Sequence, residues 1–267
     1  MSNRPIGIFD SGVGGLTVMR EIRRLLPNES TIYVGDTARV PYGAKTPDEL
    51  LLFAQEIITF LQEKNAKAVV IACGTSSSAT YEKLLDLYPT LPLVDVIRPG
   101  VDLCAKLAET ENISRFGLVA TSATIKSGLF GHLLAKKSPQ VTLHSRACPL
   151  FASMVEAGLH SNHPAVRFAA ESYLSDLRGE IDALVLGCTH YPLLTDALTA
   201  TLGDVKFINI GEATALATKE RLGAQNLLAN DNNTPTHEFY VTGTADVFNS
   251  IGKTILGEDC TSKVAKL

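Results

Sequence analysis

Short apolar runs alternate with longer amphipathic segments along this chain, and this alternation constrains the fold more than any other feature. The apolar runs predict strands at residues 6–9, 31–34, 68–72, 93–96, 116–120, 141–144, 183–186, 207–210 and, as the last, 238–241. Helical periodicity between them predicts helices that include residues 49–63, 101–108, 165–177 and 213–221. Near-continuous Val, Ile and Leu runs are typical of parallel strands that are covered on both faces. We therefore expect an α/β protein with largely parallel sheets.

A weak internal repeat divides the chain into two related halves. Gly7–Ser11 resembles Gly117–Thr121, and Val70–Thr75 resembles Val185–His190. The two offsets, 110 and 115 residues, are similar, as expected of two related halves. We expect two pseudo-symmetric α/β domains with the functional site in the cleft between them, at the carboxyl ends of the strands. The predicted domains are residues 1–97 plus 207–267, and residues 98–206.

The charge and hydropathy of the chain exclude several classes of partner. The formal net charge is −4, and Lys and Arg are scattered, which argues against binding to a phosphate backbone. The longest apolar stretches, such as residues 68–72, are far shorter than a membrane span. Met1–Pro5 opens the chain without an apolar segment of signal-peptide length. We expect a cytoplasmic protein that binds neither nucleic acid nor membranes.

Two of the five cysteines occupy positions that predict a function. Cytoplasmic cysteines are expected to be reduced, and Cys104 and Cys260 fit the usual role of a small buried residue. Cys73 and Cys188 each end a predicted strand and precede a predicted helix start. There the helix N–H groups and dipole are expected to lower the pKa of the thiol. Because this context occurs in both halves, we predict that both thiols are functional.

Two thiols at one site suit proton exchange at a stereocentre. Inverting a Cα–H requires a base on one face and an acid on the other, and two thiols can exchange these roles. Asp10 ends the first predicted strand and His190 lies two residues after Cys188, so a carboxylate and an imidazole could tune the protons. Taken alone, Asp10 also fits a helix N-cap, and His190 fits a buried structural histidine.

Other chemistries of these residue types are disfavoured. Cys73, Cys148, Cys188 and His190 could ligate zinc, but no closely spaced ligand pair occurs, so we predict no metal site. A Cys–His nucleophile of the hydrolase kind stays open, although it would leave the second cysteine without a role.

The glycine-rich turn at residues 10–15 does not match a nucleotide site. A dinucleotide fingerprint that begins at Gly12 requires glycine at position 17, which is Thr17. A phosphate loop that ends at Thr254 requires glycine where Val247 stands. We therefore predict no nucleotide cofactor, and we expect the turn to approach a small anion through its backbone.

Four segments resemble the glutamate racemase family of the aspartate/glutamate racemase superfamily. They are residues 9–16 (FDSGVGGL), 35–43 (GDTARVPYG), 187–192 (GCTHYP), and 147–149 (ACP) together with Glu156. The resemblance covers essentially the whole chain. It implies two α/β domains, neither pyridoxal phosphate nor metal, a homodimer, and interconversion of L-glutamate and D-glutamate by a two-cysteine mechanism that supplies peptidoglycan synthesis.

The resemblance also implies roles for individual residues. Cys73 and Cys188 would be the paired acid and base, and Asp10, Glu156 and His190 would tune them. The implied substrate-binding residues are Asp10, Ser11, Pro41, Tyr42, Gly43, Gly74, Thr75, Thr189 and His190. Backbone amides and hydroxyls of this kind suit an α-carboxylate and a carbanionic transition state.

Gly74 departs from the family pattern, which usually has asparagine after the first cysteine. Loss of an amide donor predicts weaker glutamate binding, which an asparagine at position 74 would restore. Alternatively, Gly74 adopts a positive φ that asparagine tolerates less well.

Two other functions also stay open: racemisation of another acidic amino acid such as aspartate, and non-catalytic binding on the same scaffold.

Overall fold

The computed structural model describes residues 1–267 and contains ten strands and eleven α-helices. The strands are β1 (Ile6–Asp10), β2 (Thr31–Gly35), β3 (Ala68–Ile71), β4 (Leu93–Asp95), β5 (Arg115–Ala120), β6 (Thr142–Ala147), β7 (Ala183–Leu186), β8 (Lys206–Asn209), β9 (His237–Val241) and β10 (Ser262–Val264). The helices are α1 (Leu16–Leu25), α2 (Pro47–Glu63), α3 (Gly74–Leu87), α4 (Ile97–Thr110), α5 (Ser122–Ser127), α6 (Leu129–Lys137), α7 (Pro149–Glu156), α8 (Pro164–Leu174), α9 (Thr195–Leu202), α10 (Ile210–Ala224) and α11 (Asp246–Leu256). None of these helices combines the length and the apolar character that crossing a bilayer requires.

The strands form two sheets in which every pair is parallel. The first sheet has the order β10-β9-β2-β1-β3-β4 and the second has the order β6-β5-β7-β8. The segment β2-β1-β3-β4 of the first sheet therefore matches the whole second sheet, with β1 equivalent to β5 and β3 equivalent to β7. The sequence repeat falls on these equivalent strands. The predicted α/β fold with two pseudo-symmetric halves and parallel sheets is confirmed.

All nine predicted strands are present, but the prediction that residues 238–241 form the last strand is wrong. β10 follows at Ser262–Val264 and pairs with β9 at the edge of the first sheet. Its residues are half-buried or exposed, and the segment contains no apolar run that would predict a strand. The strand exists because β9 offers an unpaired edge, which is a tertiary feature.

The predicted boundary between the two domains falls within one strand. β8 at Lys206–Asn209 pairs with β7 in the second sheet, whereas the predicted boundary lies between residues 206 and 207. The sheet assignment favours a boundary after Asn209, because α10 then packs on α1 and β9 joins β2. The division into domains otherwise stays a prediction.

One apolar core connects the two halves. The largest cluster of buried side chains includes Ile6 and Ile8 of β1 together with Phe116 and Leu118 of β5, all within 3% exposure. Helices α1, α4 and α10 supply much of the rest. The two halves, hereafter the first and second lobes, are therefore apposed over a common core, and the carboxyl ends of their strands border one cleft.

Candidate active site

A cavity of about 450 Å³ lies in the cleft, and the predicted site residues all line it. These residues are Asp10, Ser11, Pro41, Tyr42, Gly43, Cys73, Gly74, Thr75, Glu156, Cys188, Thr189 and His190. They come from both lobes and from distant parts of the chain. The tertiary structure thus brings together every residue that the sequence singled out, while their individual roles stay predictions.

Cys73 lies two residues after the end of β3 and is the N-cap residue of α3. It is buried, and its Sγ lies 4.0 Å from the Ser11 hydroxyl oxygen. Burial raises the pKa of the Cys73 thiol well above its usual value, and the Asp10 charge adds to this. The N–H groups of Thr75 and Ser76 act in the opposite direction but are outweighed. The prediction that helix N–H groups would lower this pKa is wrong, because the thiol is desolvated beside a carboxylate.

Cys188 follows the strand β7 but does not precede a regular α-helix. A 3-10 turn at Tyr191–Leu194 separates it from α9, so the predicted helix start is displaced. Its Sγ lies 3.6 Å from Nδ1 of His190, and both side chains are buried. The imidazole therefore supplies the polar contact that a helix N-terminus supplies to Cys73.

His190 and Glu156 form a buried pair beside Cys188. His190 Nε2 lies 2.7 Å from Glu156 Oε1, and the backbone N–H of Val13 donates to the same oxygen at 2.9 Å. Burial opposes a charge on His190, but its hydrogen bonds to Cys188 and Glu156 raise its pKa well above the usual value. Burial likewise opposes a charge on Glu156, yet His190 and the Val13 N–H lower the pKa of this carboxyl. Both shifts favour the charged forms, an imidazolium and a carboxylate.

The glycine-rich turn after β1 makes room for this pair. A Cβ on Gly12 would lie 2.0 Å from Glu156 Oε1, and a Cβ on Gly14 would lie 2.5 Å from His190 Nδ1. The predicted role of these glycines was approach to a small anion through the backbone. In the structure, they instead let side chains of the second lobe come against the turn.

Asp10 is held between the same turn and the second lobe. Its Oδ2 accepts a hydrogen bond from the Gly15 N–H at 2.9 Å and one from the Thr189 hydroxyl at 3.4 Å. The side chain is buried, and its charge faces Cys73. Asp10 is therefore no helix N-cap of the usual exposed kind, because it joins β1, the turn and the residue after Cys188.

The loop between β2 and α2 is anchored by a residue that our sequence analysis did not single out. Asp36 is fully buried. Its Oδ2 accepts hydrogen bonds from the Tyr42 hydroxyl at 2.5 Å and from Arg39 Nε at 2.6 Å, and its Oδ1 accepts one from the Thr242 hydroxyl at 2.7 Å. Tyr42 lines the cavity. The charge of Asp36, within a segment that carries the family resemblance, could have indicated this anchoring role.

Hydroxyl groups of the second lobe were also missed. Thr121 and Thr124 line the cavity, and the Thr121 hydroxyl oxygen lies 2.8 Å from that of Thr75 and 3.0 Å from that of Thr124. The Thr121 side chain also caps α5. The internal repeat aligns Thr121 with Ser11, and this equivalence is the feature that could have identified it.

Gly74 is restricted by space and not by backbone conformation. Its φ is not in the positive range, so that alternative is wrong. A Cβ on Gly74 would lie 2.7 Å from the carbonyl oxygen of Gly187. An asparagine here would meet the same backbone atom before its amide could contact substrate.

The remaining cysteines lie away from the cavity. Cys148 Sγ donates to the Arg146 carbonyl at 3.8 Å, and burial raises the pKa of the Cys104 thiol to about 12. Both of these side chains and Cys260 are buried, as expected of small packing residues. The four side chains of the zinc hypothesis are not gathered around one point, since Cys148 is outside the cavity lining.

The chain is similar over most of its length to known racemases. The family described as Asp/Glu/Hydantoin racemase matches residues 6–218. A glutamate racemase from Geobacter metallireducens is 41% identical over 256 residues, which cover 95% of this chain and 93% of the relative. The structure of the Francisella tularensis glutamate racemase in complex with D-glutamate has a TM-score of 0.89 at 36% identity, covering 100% of this chain and 98% of that one. A Bacillus anthracis glutamate racemase isoform has a TM-score of 0.90 at 36% identity, covering 100% and 99%.

Proposed function

The chain belongs to the Asp/Glu/Hydantoin racemase family, and we propose that it is an isomerase that interconverts L-glutamate and D-glutamate without a cofactor. One observation carries this proposal. Cys73 and Cys188 each lie two residues after equivalent strands of the two lobes, and both line the same cavity. The identity of about 40% to glutamate racemases over nearly the whole chain supports glutamate as the substrate.

The two thiols divide one proton exchange between them. A thiolate on one side takes the Cα proton, so that an S–H bond forms and the electron pair of the Cα–H bond moves toward the α-carboxylate. The thiol on the other side then gives its proton to the opposite face of Cα and becomes the thiolate. The reverse reaction uses the same groups in exchanged roles.

Cys188 lies beside the buried His190–Glu156 pair. Nδ1 of His190 lies 3.6 Å from its sulfur, within hydrogen-bonding distance of the thiol. Glu156 keeps the imidazole protonated and holds it through Nε2, which leaves Nδ1 toward the sulfur. The pair therefore gives the Cys188 sulfur a polar partner while it exchanges a proton with Cα.

The surroundings of Cys73 suit the thiol form. The raised pKa means that the proton stays on sulfur until a strong base, the carbanionic Cα, accepts it. Asp10 contributes to this because its carboxylate lies beside the thiol and disfavours a second negative charge. Cys73 thus suits the role of the proton donor that one racemisation step needs.

Neutral donors line the rest of the cavity. The hydroxyls of Ser11, Thr75, Thr121 and Thr189 face it, and the lining contains no Lys or Arg. We propose that these hydroxyls, together with Tyr42, Gly43 and backbone N–H groups, bind the substrate carboxylates and the charge that develops in the transition state. Pro41 and Gly74 would contribute backbone surface.

Activity in the absence of added cofactor tests the proposal. Purified protein, treated exhaustively with EDTA and hydroxylamine, is incubated with L-glutamate and then with D-glutamate, and circular dichroism follows the loss of optical activity. Racemisation in both directions is expected. Restoration of activity only by a metal or pyridoxal phosphate would contradict the proposal. Parallel assays with both aspartate enantiomers separate the aspartate alternative, and inertness toward every substrate would favour a binding protein.

The cellular setting is a further part of the proposal. We infer that the D-glutamate supplies peptidoglycan synthesis, that the enzyme acts in the cytoplasm, and that it is a homodimer. The resemblance to glutamate racemases supports all three. Growth of a D-glutamate auxotroph that expresses this chain tests the first, cell fractionation the second, and light scattering coupled to size exclusion the third.

A further inference from the structure

The two cysteine-bearing strand ends touch each other through backbone atoms. Gly74 follows Cys73 at the first position of α3, and Gly187 precedes Cys188 after β7. A Cβ on Gly74 would lie 2.7 Å from the Gly187 carbonyl oxygen, although ordinary contact begins at 3.4 Å. At position 74, only the hydrogen of a glycine fits against the Gly187 carbonyl oxygen.

Backbone hydrogen bonds hold both sides of this contact in place. The Gly187 N–H donates to the Val119 carbonyl at 2.8 Å, which holds Gly187 against β5. On the other side, the Ser77 N–H donates to the Cys73 carbonyl at 2.8 Å and closes the first turn of α3. A side chain at position 74 must therefore displace a strand end, because no flexible group lies in its way.

Backbone conformation does not explain the glycine. Gly74 lies within a helix and has no positive φ. Alanine is the better helix former, so local stability alone would favour a larger residue. What requires glycine is the approach of the other lobe.

We infer that Gly74 is a positioning residue that sets the separation of the two thiols by letting the Gly187 carbonyl come against α3. This inference rests on the proposed two-thiol mechanism. Cys188 is bonded to Gly187, so a shift of several tenths of an ångström at the Gly187 carbonyl also moves the backbone of Cys188 and, with it, the thiol. Both thiols must reach the same Cα, and proton transfer is far more sensitive to such a shift than binding is.

Gly74→Ala tests the inference with the smallest possible side chain. We expect kcat to fall by about tenfold to a hundredfold in both directions, because a misplacement of this size has costs of that order. KM should stay within about threefold, since the substrate contacts are kept. Gly223→Ala is the matched control: it lies in α10, where the nearest atom to an added Cβ is 3.8 Å away, and its kinetics should be unchanged.

Isotope exchange provides a second readout. In heavy water, the wild type should place deuterium chiefly in the newly formed enantiomer. In Gly74→Ala, delivery by the opposite thiol is slowed, so the recovered starting enantiomer should gain a larger share of the label. Gly74→Asn should lose at least as much kcat as Gly74→Ala, against the expectation that asparagine improves glutamate binding.

Several outcomes would overturn the inference. Wild-type kcat in Gly74→Ala would do so, and so would an effect confined to KM, which would make position 74 a substrate contact only. Absence of a cooperative thermal transition in Gly74→Ala would also contradict it, because the added Cβ is placed in the cleft and not in a core. If Cys73→Ser still racemises glutamate, the proposed function fails instead. Inactive cysteine variants beside a fully active Gly74→Ala would overturn this inference alone.

Discussion

The carboxyl ends of β3 and β7 are equivalent positions with opposite surroundings. Both strands have equivalent places in the order of their sheets, and each is followed, two residues after its end, by a buried cysteine. Cys73 caps a helix of 14 residues beside the carboxylate of Asp10, whereas Cys188 precedes a 3-10 turn beside His190. The repeated scaffold supplies two thiols, and the loops around them supply unlike charges.

This difference suits the chemistry better than perfect symmetry would. Two identical thiols would have the same preferred protonation state, whereas a racemisation step needs one proton donor and one acceptor. Burial and the Asp10 charge raise the pKa of Cys73, whereas Cys188 has the His190 ring beside its sulfur. The two lobes thus differ in the groups that surround their thiols, at the point where the proton exchange takes place.

Removing either thiol should have the largest effect. Cys73→Ser and Cys188→Ser should each lower kcat by about a hundredfold to ten-thousandfold in both directions, because each thiol supplies a proton transfer that the other cannot reach. Racemisation is followed by circular dichroism. Cys104→Ala removes a buried thiol outside the cavity and serves as the control. Substantial activity in either serine variant would show that one base serves both faces.

Replacing Glu156 should reduce the contrast between the thiols. Glu156→Gln removes the carboxylate that raises the pKa of His190, so the imidazole loses its proton at lower pH. We expect kcat to fall by about tenfold to a hundredfold and the alkaline limb of the pH–rate profile to move to lower pH. Steady-state rates over a pH series measure both.

The exposed Glu171 offers a matched control for this experiment. Glu171→Gln lies in α8, away from the cavity, and should leave the profile unchanged. An unshifted alkaline limb in Glu156→Gln would show that the charge of His190 does not depend on this pair.

Asp36 should affect binding more than chemistry. Asp36→Asn weakens the hydrogen bonds that hold Tyr42 against the cavity, so we expect KM to rise by about threefold to tenfold with a smaller change in kcat. Tyr42→Phe should resemble it. Asp48→Asn at an almost fully exposed site is the control. A fall in kcat at constant KM would instead assign Asp36 to the proton exchange.

Stability should respond to pH through the same buried pair, with the smallest effect. His190 has a raised pKa, so its contribution is present below the ordinary histidine pKa and is lost as pH rises through the folded value. Glu156 has a lowered pKa, so its contribution is present above the ordinary glutamate pKa and is lost as pH falls through the folded value. Thermal unfolding should therefore show a Tm plateau between the ordinary pKa values of glutamate and histidine. In Glu156→Gln, that plateau should be lower by a few degrees, since about 1 kcal/mol corresponds to roughly 2–4 °C in larger domains.

Local pattern accounts for most of what could be predicted about the fold. The apolar runs at residues 68–72 and 183–186 placed two equivalent strands, and the repeat around Cys73 and Cys188 indicated two related halves. Such patterns are visible because a strand covered on both faces must be apolar along its length. β10 escaped prediction because Ser262–Val264 pairs at an edge and needs no such run.

The sequence by itself determined the α/β class, the two thiols and many of the residues that meet in the cleft. Only the tertiary structure decided their charge states. Burial and Asp10 raise the pKa of Cys73 against the helix N–H groups, and contacts with Cys188 and with Glu156, 34 positions away, raise the pKa of His190. Gly74 likewise reveals its constraint only against Gly187. The reason is physical: apolar periodicity is a property of neighbours along the chain, whereas desolvation, Coulomb interaction and steric contact depend on neighbours in space.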